Sequence, residues 1–427
     1  MKFLLLSMMF MFTLKECTLY TKHIKNYKPQ KLSVDESFPK KSIKLIDKIK
    51  LEENEEVIIS TINSIEILDG GLEFLIIDPS SKKTVVFNYM DGSIKNLILQ
   101  EENWLRYFVA EKPHPISVAI KGKLKYINTD DYSKYDLNQN AVNYIKYSPF
   151  IIKSINKQHI LLCHANMFAV SDEIKENSLD NRVFLLKYNS KLNLLKMVVP
   201  EVLHKSYILP STFEILSNGN YIGSSSNYTY KDKGNIDSIV TVASYDSTGK
   251  FLGNIGYLPD KYVKNQLIYQ ERWQPLLTNI NDSIFIAYPR DNDIYAPGQK
   301  IRFSLKNLPY SNDSGLVYLY DYYRLKKVEN SRYDRFEVAN LLPVSIIYTF
   351  NSNGNFGVVL LVFDKEHPMG YYYIAQEYDF KGNLLSHTKI NDEPGNQIRN
   401  FVFDKYNNYL CIVSKNKDGW TLEKRKW

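Results

Sequence analysis

The residues able to do chemistry are few and scattered. Seven His stand at 23, 114, 159, 164, 204, 367 and 387 without a His-x-His or a His-Glu-x-x-His, and the three Cys never pair at metal spacing, so no zinc site is expected. Asp291-Asn292-Asp293, and Asp130-Asp131 with Asp136, offer hard oxygens suited to Ca²⁺. Neither stretch has the Gly and distal Glu of a calcium loop, and both read as solvated turn carboxylates. Gly-x-Ser-x-Gly and Gly-rich phosphate loops are missing as well. The expectation is no metal, no cofactor and no catalytic residue. Asp78, Asp364 and Asp404 end strands in like manner and are expected to accept hydrogen bonds from turn amides.

What remains is a set of large aromatics beside guanidinium groups: Trp104 with Arg106 and Tyr107, Arg272 with Trp273, and Tyr288 with Arg290 and Asp291. These are the residue types that dominate binding hot spots. They are the candidate ligand-binding residues, with Trp104 and Trp273 as plugs between repeats the plainer alternative. Arg106→Ala, Arg272→Ala and Arg290→Ala are then expected to leave the melting temperature almost unchanged and to weaken ligand binding. Lys250→Ala and Lys381→Ala, on short turns, are expected to do neither.

The elements that position these residues are β-strands. Leu72 to Leu99 holds three β-type runs, Leu72 to Ile77, Thr84 to Asn88 and Ile94 to Leu99, and Val57 to Leu68 precedes them across Asp69-Gly70-Gly71. That is a four-stranded antiparallel meander of about forty residues, the size of a propeller blade. Turn markers at Gly92, Asn138, Lys191, Gly249 and Gly382 recur with gaps of 46, 53, 58 and 133 residues, the last wide enough for one degenerate blade. A second blade opens with Ile116 to Ile120 and Leu124 to Asn128. A third spans Phe150 to Val199, a fourth Thr212 to Ile255 and a sixth Val344 to Ile390. The fifth is the poorest, its surer strands being Leu276 to Asn279, Ser283 to Ala287 and Val317 to Asp321. Three last strands, Arg399 to Phe403, Tyr409 to Val413 and Trp420 to Lys426, lack a fourth, which Ser42 to Lys50 supplies by closing the ring. The fold class is therefore all-β, a propeller of four-stranded antiparallel blades, six or seven in number with the count favouring seven.

In such blades the A–B and C–D turns share one face of the disc, and the B–C loops and D–A links share the other. The first set is short. The second is long, as in Gln100 to Pro115, His164 to Asn181, Tyr257 to Trp273, Tyr288 to Lys300 and Asp364 to Gly370, so the site is expected on the long-loop face.

The motifs Ile76-Ile77-Asp78, Val85-Val86-Phe87 with Asp91-Gly92, Ser244-Tyr245-Asp246 with Gly249-Lys250-Phe251-Leu252, and Phe401-Val402-Phe403-Asp404 before Asn407-Asn408 resemble the six-bladed β-propeller lipoproteins of Gram-negative bacteria, and more loosely NHL-type propellers. The resemblance covers most of residues 57 to 427 and implies fold and location but no catalytic residues, since that family is mostly of undefined function. The Gly-Pro-rich stretch often found there after the first blade is replaced by Gln100-Glu101-Glu102-Asn103-Trp104.

Composition agrees with a β-rich body: 14% of the 427 residues are aromatic, 33 of them Tyr, and only 18 are Gly. The net charge of +7 is scattered rather than gathered on a stripe, so no nucleic-acid partner is expected. Met1 to Cys17 has one early Lys and an apolar run from Phe3 to Leu14, too short to span a bilayer, and reads as a signal peptide. Cys17 directly after it is the candidate lipidation site, although Lys15 and Glu16 are larger than the residues usual there. Residues 18–41 read as a polar tether and 42–427 as a single propeller domain. Cys163 and Cys411 sit inside apolar runs as buried thiols, with a disulfide between them disfavoured.

Two function classes follow. One is an exported binding or scaffold module, anchored to a bacterial membrane through a lipid on Cys17, for a protein, peptide or glycan ligand. The other is an extracytoplasmic propeller enzyme of glycosidase or lyase type, with carboxylates brought together from different blades. The first is favoured, and two carboxylates converging in one funnel would raise the second.

Overall fold

The strand runs of this chain end in turns opened by Asp or Asn, and these side chains make their own turns. The computed structural model describes residues 27–35, 37, 43–68, 70–78, 83–98, 116–120, 123–127, 145–155, 158–167, 182–191, 194–198, 207–226, 240–259, 275–313, 315, 341–390 and 397–427. The Asp91 carboxylate accepts from the Ser93 N–H at 2.9 Å, Asp246 from the Thr248 and Lys250 N–H groups at 2.8 and 2.9 Å, and Asp379 from those of Lys381 and Asn383, both at 2.8 Å. Side-chain donors on Ser93, Thr248 and Asn383, then these amides, hold the three carboxyls below the usual range. Gly92 follows such a turn at φ 75°, and a Cβ there would lie 2.3 Å from the Lys50 carbonyl oxygen, so only Gly lets this hairpin approach strand β1 (Lys44–Lys50).

Between the turns, alternating apolar residues build six four-stranded antiparallel sheets among the described residues. In chain order these are β2 (Ser64–Ile67), β3 (Glu73–Asp78), β4 (Lys83–Asn88) and β5 (Ile94–Ile98); β8 (Ile145–Ile155), β9 (Gln158–Met167), β10 (Arg182–Tyr188) and β11 (Leu194–Val198); β12 (Tyr207–Ile215), β13 (Tyr221–Ser226), β14 (Val240–Tyr245) and β15 (Phe251–Tyr257); β16 (Leu276–Ile280), β17 (Ser283–Ala287), β18 (Asp293–Ala296) and β19 (Ile301–Ser304); and β20 (Val344–Ser352), β21 (Asn355–Phe363), β22 (Tyr371–Tyr378) and β23 (Leu384–Ile390). The sixth joins β24 (Gln397–Asp404), β25 (Tyr409–Asn416) and β26 (Gly419–Lys426) to β1. The first strands of the sheets touch in the circular order β24, β2, β8, β12, β16, β20 and back to β24, the arrangement of a β-propeller around its axis.

Three features differ from the sequence reading. Where a second blade was expected, β6 (Ile116–Ile120) and β7 (Lys123–Ile127) form a two-stranded hairpin, and β2 contacts β8 directly past it. In the poor fifth repeat, β18 and β19 complete the sheet early, so the supposed long loop from Tyr288 to Lys300 shrinks to residues 288–292; the short apolar run Asp293–Ala296 was passed over because Asp291-Asn292-Asp293 looked like turn. Val317 to Asp321 lies outside the described residues. Within the expected tether, residues 30–35 dock on the body: Leu32 N–H donates to the Pro309 carbonyl at 2.9 Å, Asp35 N–H to Asn307 Oδ1 at 2.7 Å, and Lys31 pairs with Glu366 at 2.6 Å.

Ring closure follows the expected pairing, with Lys44 opposite Lys426 and Lys50 opposite Thr421. Its core packs Ile65, Phe74 and Phe87 of one sheet against Val402, Cys411 and Trp420 of the last. Buried Trp420 donates Nε1–H to the Ile59 carbonyl at 2.8 Å, and Trp427 donates Nε1–H to Ser352 Oγ at 2.8 Å, tying the end of the chain to two neighbouring sheets. Lys424, its side chain only 4% exposed, donates to the Tyr89 carbonyl and to Asp47, and its ammonium lies 4.2 Å from the centre of the Tyr89 ring. Cys411 is a free buried thiol 3.2 Å from the Tyr89 hydroxyl, and burial pushes its pKa up to about 12, so it is inert.

Candidate functional site

Around the propeller axis the first strands bring charged side chains into one place. Each sits on the face opposite its strand's core residues, one or two residues before the strand ends: Glu66 between buried Ile65 and Ile67 on β2, Lys153 on β8, and Glu214 between buried Phe213 and Ile215 on β12. Period-two alternation turns these side chains away from the apolar face, and the ring order turns them toward one another. Lys153 Nζ donates to Glu214 Oε1 at 2.8 Å, with the two side chains 31% and 12% exposed. The Ser154 N–H donates to Glu66 Oε1 at 3.0 Å, and the Ser154 hydroxyl lies 2.9 Å from His159 Nδ1. Tyr348 of β20 joins the group, its hydroxyl oxygen accepting the Phe403 N–H at 2.9 Å. Lys405, exposed in the β24–β25 turn, lies at the same end of the ring, that of the A–B turns.

Burial decides the protonation of this cluster. Removal from bulk water pushes the Glu66 carboxyl up to about 7, with Lys153 and the Ser154 amide opposing and Glu214 adding to the rise. Glu214 is likewise raised by burial, against the pull of Lys153. Burial lowers Lys153, but attraction to Glu214 and Glu66 outweighs it, so the ammonium is held charged. The result is a fixed Lys–Glu pair beside a carboxyl that gains and loses its proton near neutral pH, chemistry suited to holding a polar ligand or moving a proton.

The residues singled out from sequence lie elsewhere. Trp104, Arg106, Tyr107, Arg272, Trp273 and Cys17 are outside the described residues. Tyr288 and Asp291 come together at the β17–β18 connection: Tyr288 is buried, donates its hydroxyl to the Tyr257 carbonyl at 2.8 Å, and sets its ring edge-on to Tyr295, whose hydroxyl donates to Asp291 Oδ2 at 3.0 Å. Asp291 also accepts the Asp293 N–H, and Asp293 accepts from Arg302 and Ser304, so these carboxylates are engaged in local bonds as turn groups. Among the described residues no group of three or more metal-ligating side chains occurs. Arg290 donates to the Leu342 carbonyl at 2.7 Å. Arg290→Ala is accordingly expected to lower stability by about 1 kcal/mol in denaturant unfolding, where sequence alone suggested no change. A cavity of about 860 Å³ opens beside this connection, between β15 and the β17–β19 strands, lined by Tyr257, Tyr288, Tyr295 and Arg302. Among the described residues its lining offers no carboxylate.

Of the strand-ending aspartates, Asp364 and Asp404 accept from amides of their own turns, Glu366 at 3.0 Å and Tyr406 at 2.9 Å. Asp78 accepts from the Ser60 N–H at 2.7 Å and the Thr61 hydroxyl at 3.1 Å, and the turn after it, residues 79–82, lies outside the described residues. The axial cluster was missed because each of its residues is one charge inside a short strand. Ser-Ile-Glu-Ile, Ile-Ile-Lys-Ser-Ile and Thr-Phe-Glu-Ile each set one charge directly after an apolar residue near the strand end, the signal that could have found it.

Fold and site together define a β-propeller with a mixed-charge axial cluster. No family model matches the chain, and no curated protein matches it. Among solved structures it is similar to a DUF4221 family member from Bacteroides vulgatus, at 9% identity over 90% of this chain and 98% of that one with a TM-score of 0.48. It is also similar to the PQQ-bound aldose sugar dehydrogenase of Streptomyces coelicolor, at 9% identity over 91% and 99% with a TM-score of 0.45. A third is regucalcin, a calcium-binding protein of Agrobacterium tumefaciens, at 9% identity over 91% and 96% with a TM-score of 0.39.

Proposed function

We propose that this chain is an exported, lipid-anchored six-bladed β-propeller that acts as a binding module, with its ligand site on the axis. The six four-stranded sheets are the blades, and the β6–β7 hairpin is an insertion between two of them. Export and anchoring are supported by the apolar run from Phe3 to Leu14 and by Cys17 after it. The observation that carries the site is the convergence of Glu66, Lys153 and Glu214 from three blades, with one Glu66 oxygen left open beside the Lys153–Glu214 pair. The aromatic and guanidinium groups Trp104, Arg106, Tyr107, Arg272, Trp273, Tyr288, Arg290 and Asp291 remain a second candidate surface.

The test has two arms. Cys17→Ala should move the protein out of the membrane fraction, because the short apolar segment cannot anchor it without lipid; an unchanged distribution refutes the anchor. A ligand screen on the full chain should return compounds whose binding falls in Lys153→Met and is unmoved by Lys250→Ala. A ligand insensitive to every axial substitution refutes the site. The enzyme reading is favoured by one observation, a carboxyl titrating near neutrality beside a second carboxylate. It predicts turnover that Glu66→Gln abolishes while affinity persists.

A further inference from the structure

Among the described residues, the first strands β2, β8 and β12 bring two carboxylates and one ammonium together at the axis, and that ammonium is committed to Glu214 at 2.8 Å, while Lys405 acts on both carboxylates from the exposed turn. Glu66 has one oxygen on the Ser154 amide, while its other oxygen has no hydrogen-bond partner among the described residues. The groups facing Glu66 are Lys153 and Ser154 of β8, the latter backed by His159 of β9; Glu214 of β12; Tyr348 of β20; and Lys405 of the β24–β25 turn. Lys405 is exposed, its ammonium 5.2 Å from the Tyr406 ring centre, and its charge favours the ionised forms of Glu66 and Glu214, less strongly than Lys153 does.

We infer that the axial site takes a small organic cation, a primary ammonium or guanidinium group that pairs with the open oxygen of Glu66 as Lys153 pairs with Glu214. A divalent metal fits poorly, since Ca²⁺ requires about six to eight oxygen ligands and the Lys153 ammonium stands where one would be. An anion would meet two carboxylates. The ring of Tyr348 packs on those of Phe350 and Phe401 in the core between two blades, and its hydroxyl feels the charges of Lys153, Glu66 and Glu214. Glu66, Lys153 and Glu214 lie toward the A–B turns on their strands, so that face is the expected side of entry.

This inference rests on the axis being the ligand site, and the experiment separates the two ideas. The full chain is titrated with ethanolamine and with methylguanidine, and with propionate, galactose and CaCl₂ as controls, at pH 6 and pH 8. A cation should bind about tenfold more tightly at pH 8, because Glu66 must be ionised and titrates at about 7. Glu66→Gln should weaken it at least tenfold and erase the pH dependence, while Glu66→Asp restores the dependence; melting curves confirm that each variant folds. If propionate or galactose binds and only Lys153→Met abolishes this, the axial site stands and the cation is wrong. Displacement of the amine by CaCl₂ with an inorganic ion bound in its place also overturns it. If neither cation binds at about 10 mM, the inference fails. If no probe responds to any axial substitution, the axial reading fails with it.

Discussion

Removing residues 420–427 is expected to abolish cooperative unfolding altogether. Strand β26 is interior to the closing sheet, paired on one side with β1 and on the other with β25, so its loss strands an N-terminal β-strand without a partner and bares a sheet edge. The same cut deletes the indole bonds from Trp420 to Ile59 and from Trp427 to Ser352, and the Lys424 bond to Tyr89. Trp420→Ala alone should cost about 3 to 5 kcal/mol, the usual range for a large buried aromatic. Losing the whole strand should exceed the roughly 5 to 15 kcal/mol that holds an ordinary domain together. Deleting residues up to 50 should do less, since β1 is an edge strand, but it exposes β26 in turn. Unfolding followed by far-ultraviolet dichroism and by Trp fluorescence gives the check. A truncated protein with one sharp, coincident transition within a few degrees of the full chain would refute closure as the source of cooperativity.

How legible this was in the sequence depended on whether the information was local. The Asp91, Asp246 and Asp379 turns and the strands beside them could be read because each turn is made by contacts within about five residues. Closure was legible by arithmetic, three strands at one end and one spare at the other. The blade beginning at Ile116 was misjudged because a hairpin and half a blade have the same local pattern, and only the direct contact of β2 with β8 tells them apart. The axial cluster depends on residues 66, 153 and 214 meeting across separations that no spacing rule reaches, and Tyr348 lies further still along the chain. Arg290 shows the converse limit: its type suggested a binding anchor, whereas its donor serves the Leu342 carbonyl.

Lys153→Met should be among the more damaging single substitutions, and its damage should depend on pH. It leaves Glu66 and Glu214 half-buried together without the ammonium that faces them, a loss of about 2 to 4 kcal/mol at pH 8, near the low end for broken buried pairs because the pair keeps some contact with water. Glu66 already has a folded-state pKa raised to about 7, above its unfolded value. Such a carboxyl adds stability below the unfolded pKa and loses it as pH rises through the folded one. Without Lys153 both carboxyls rise further, so the folded state binds more protons than the unfolded chain across a wider window. The deficit should therefore be small near pH 5 and full by pH 8. The second substitution, Glu214→Leu, should recover most of the loss in the Lys153→Met background, since an apolar pair of similar volume replaces the ion pair at little cost. Denaturant unfolding of the wild type, both single variants and the double variant at pH 5 and pH 8 closes the cycle. A deficit equal at the two pH values, or one that Glu214→Leu fails to recover, would mean that Lys153 acts through the packing of its aliphatic stem rather than through its charge.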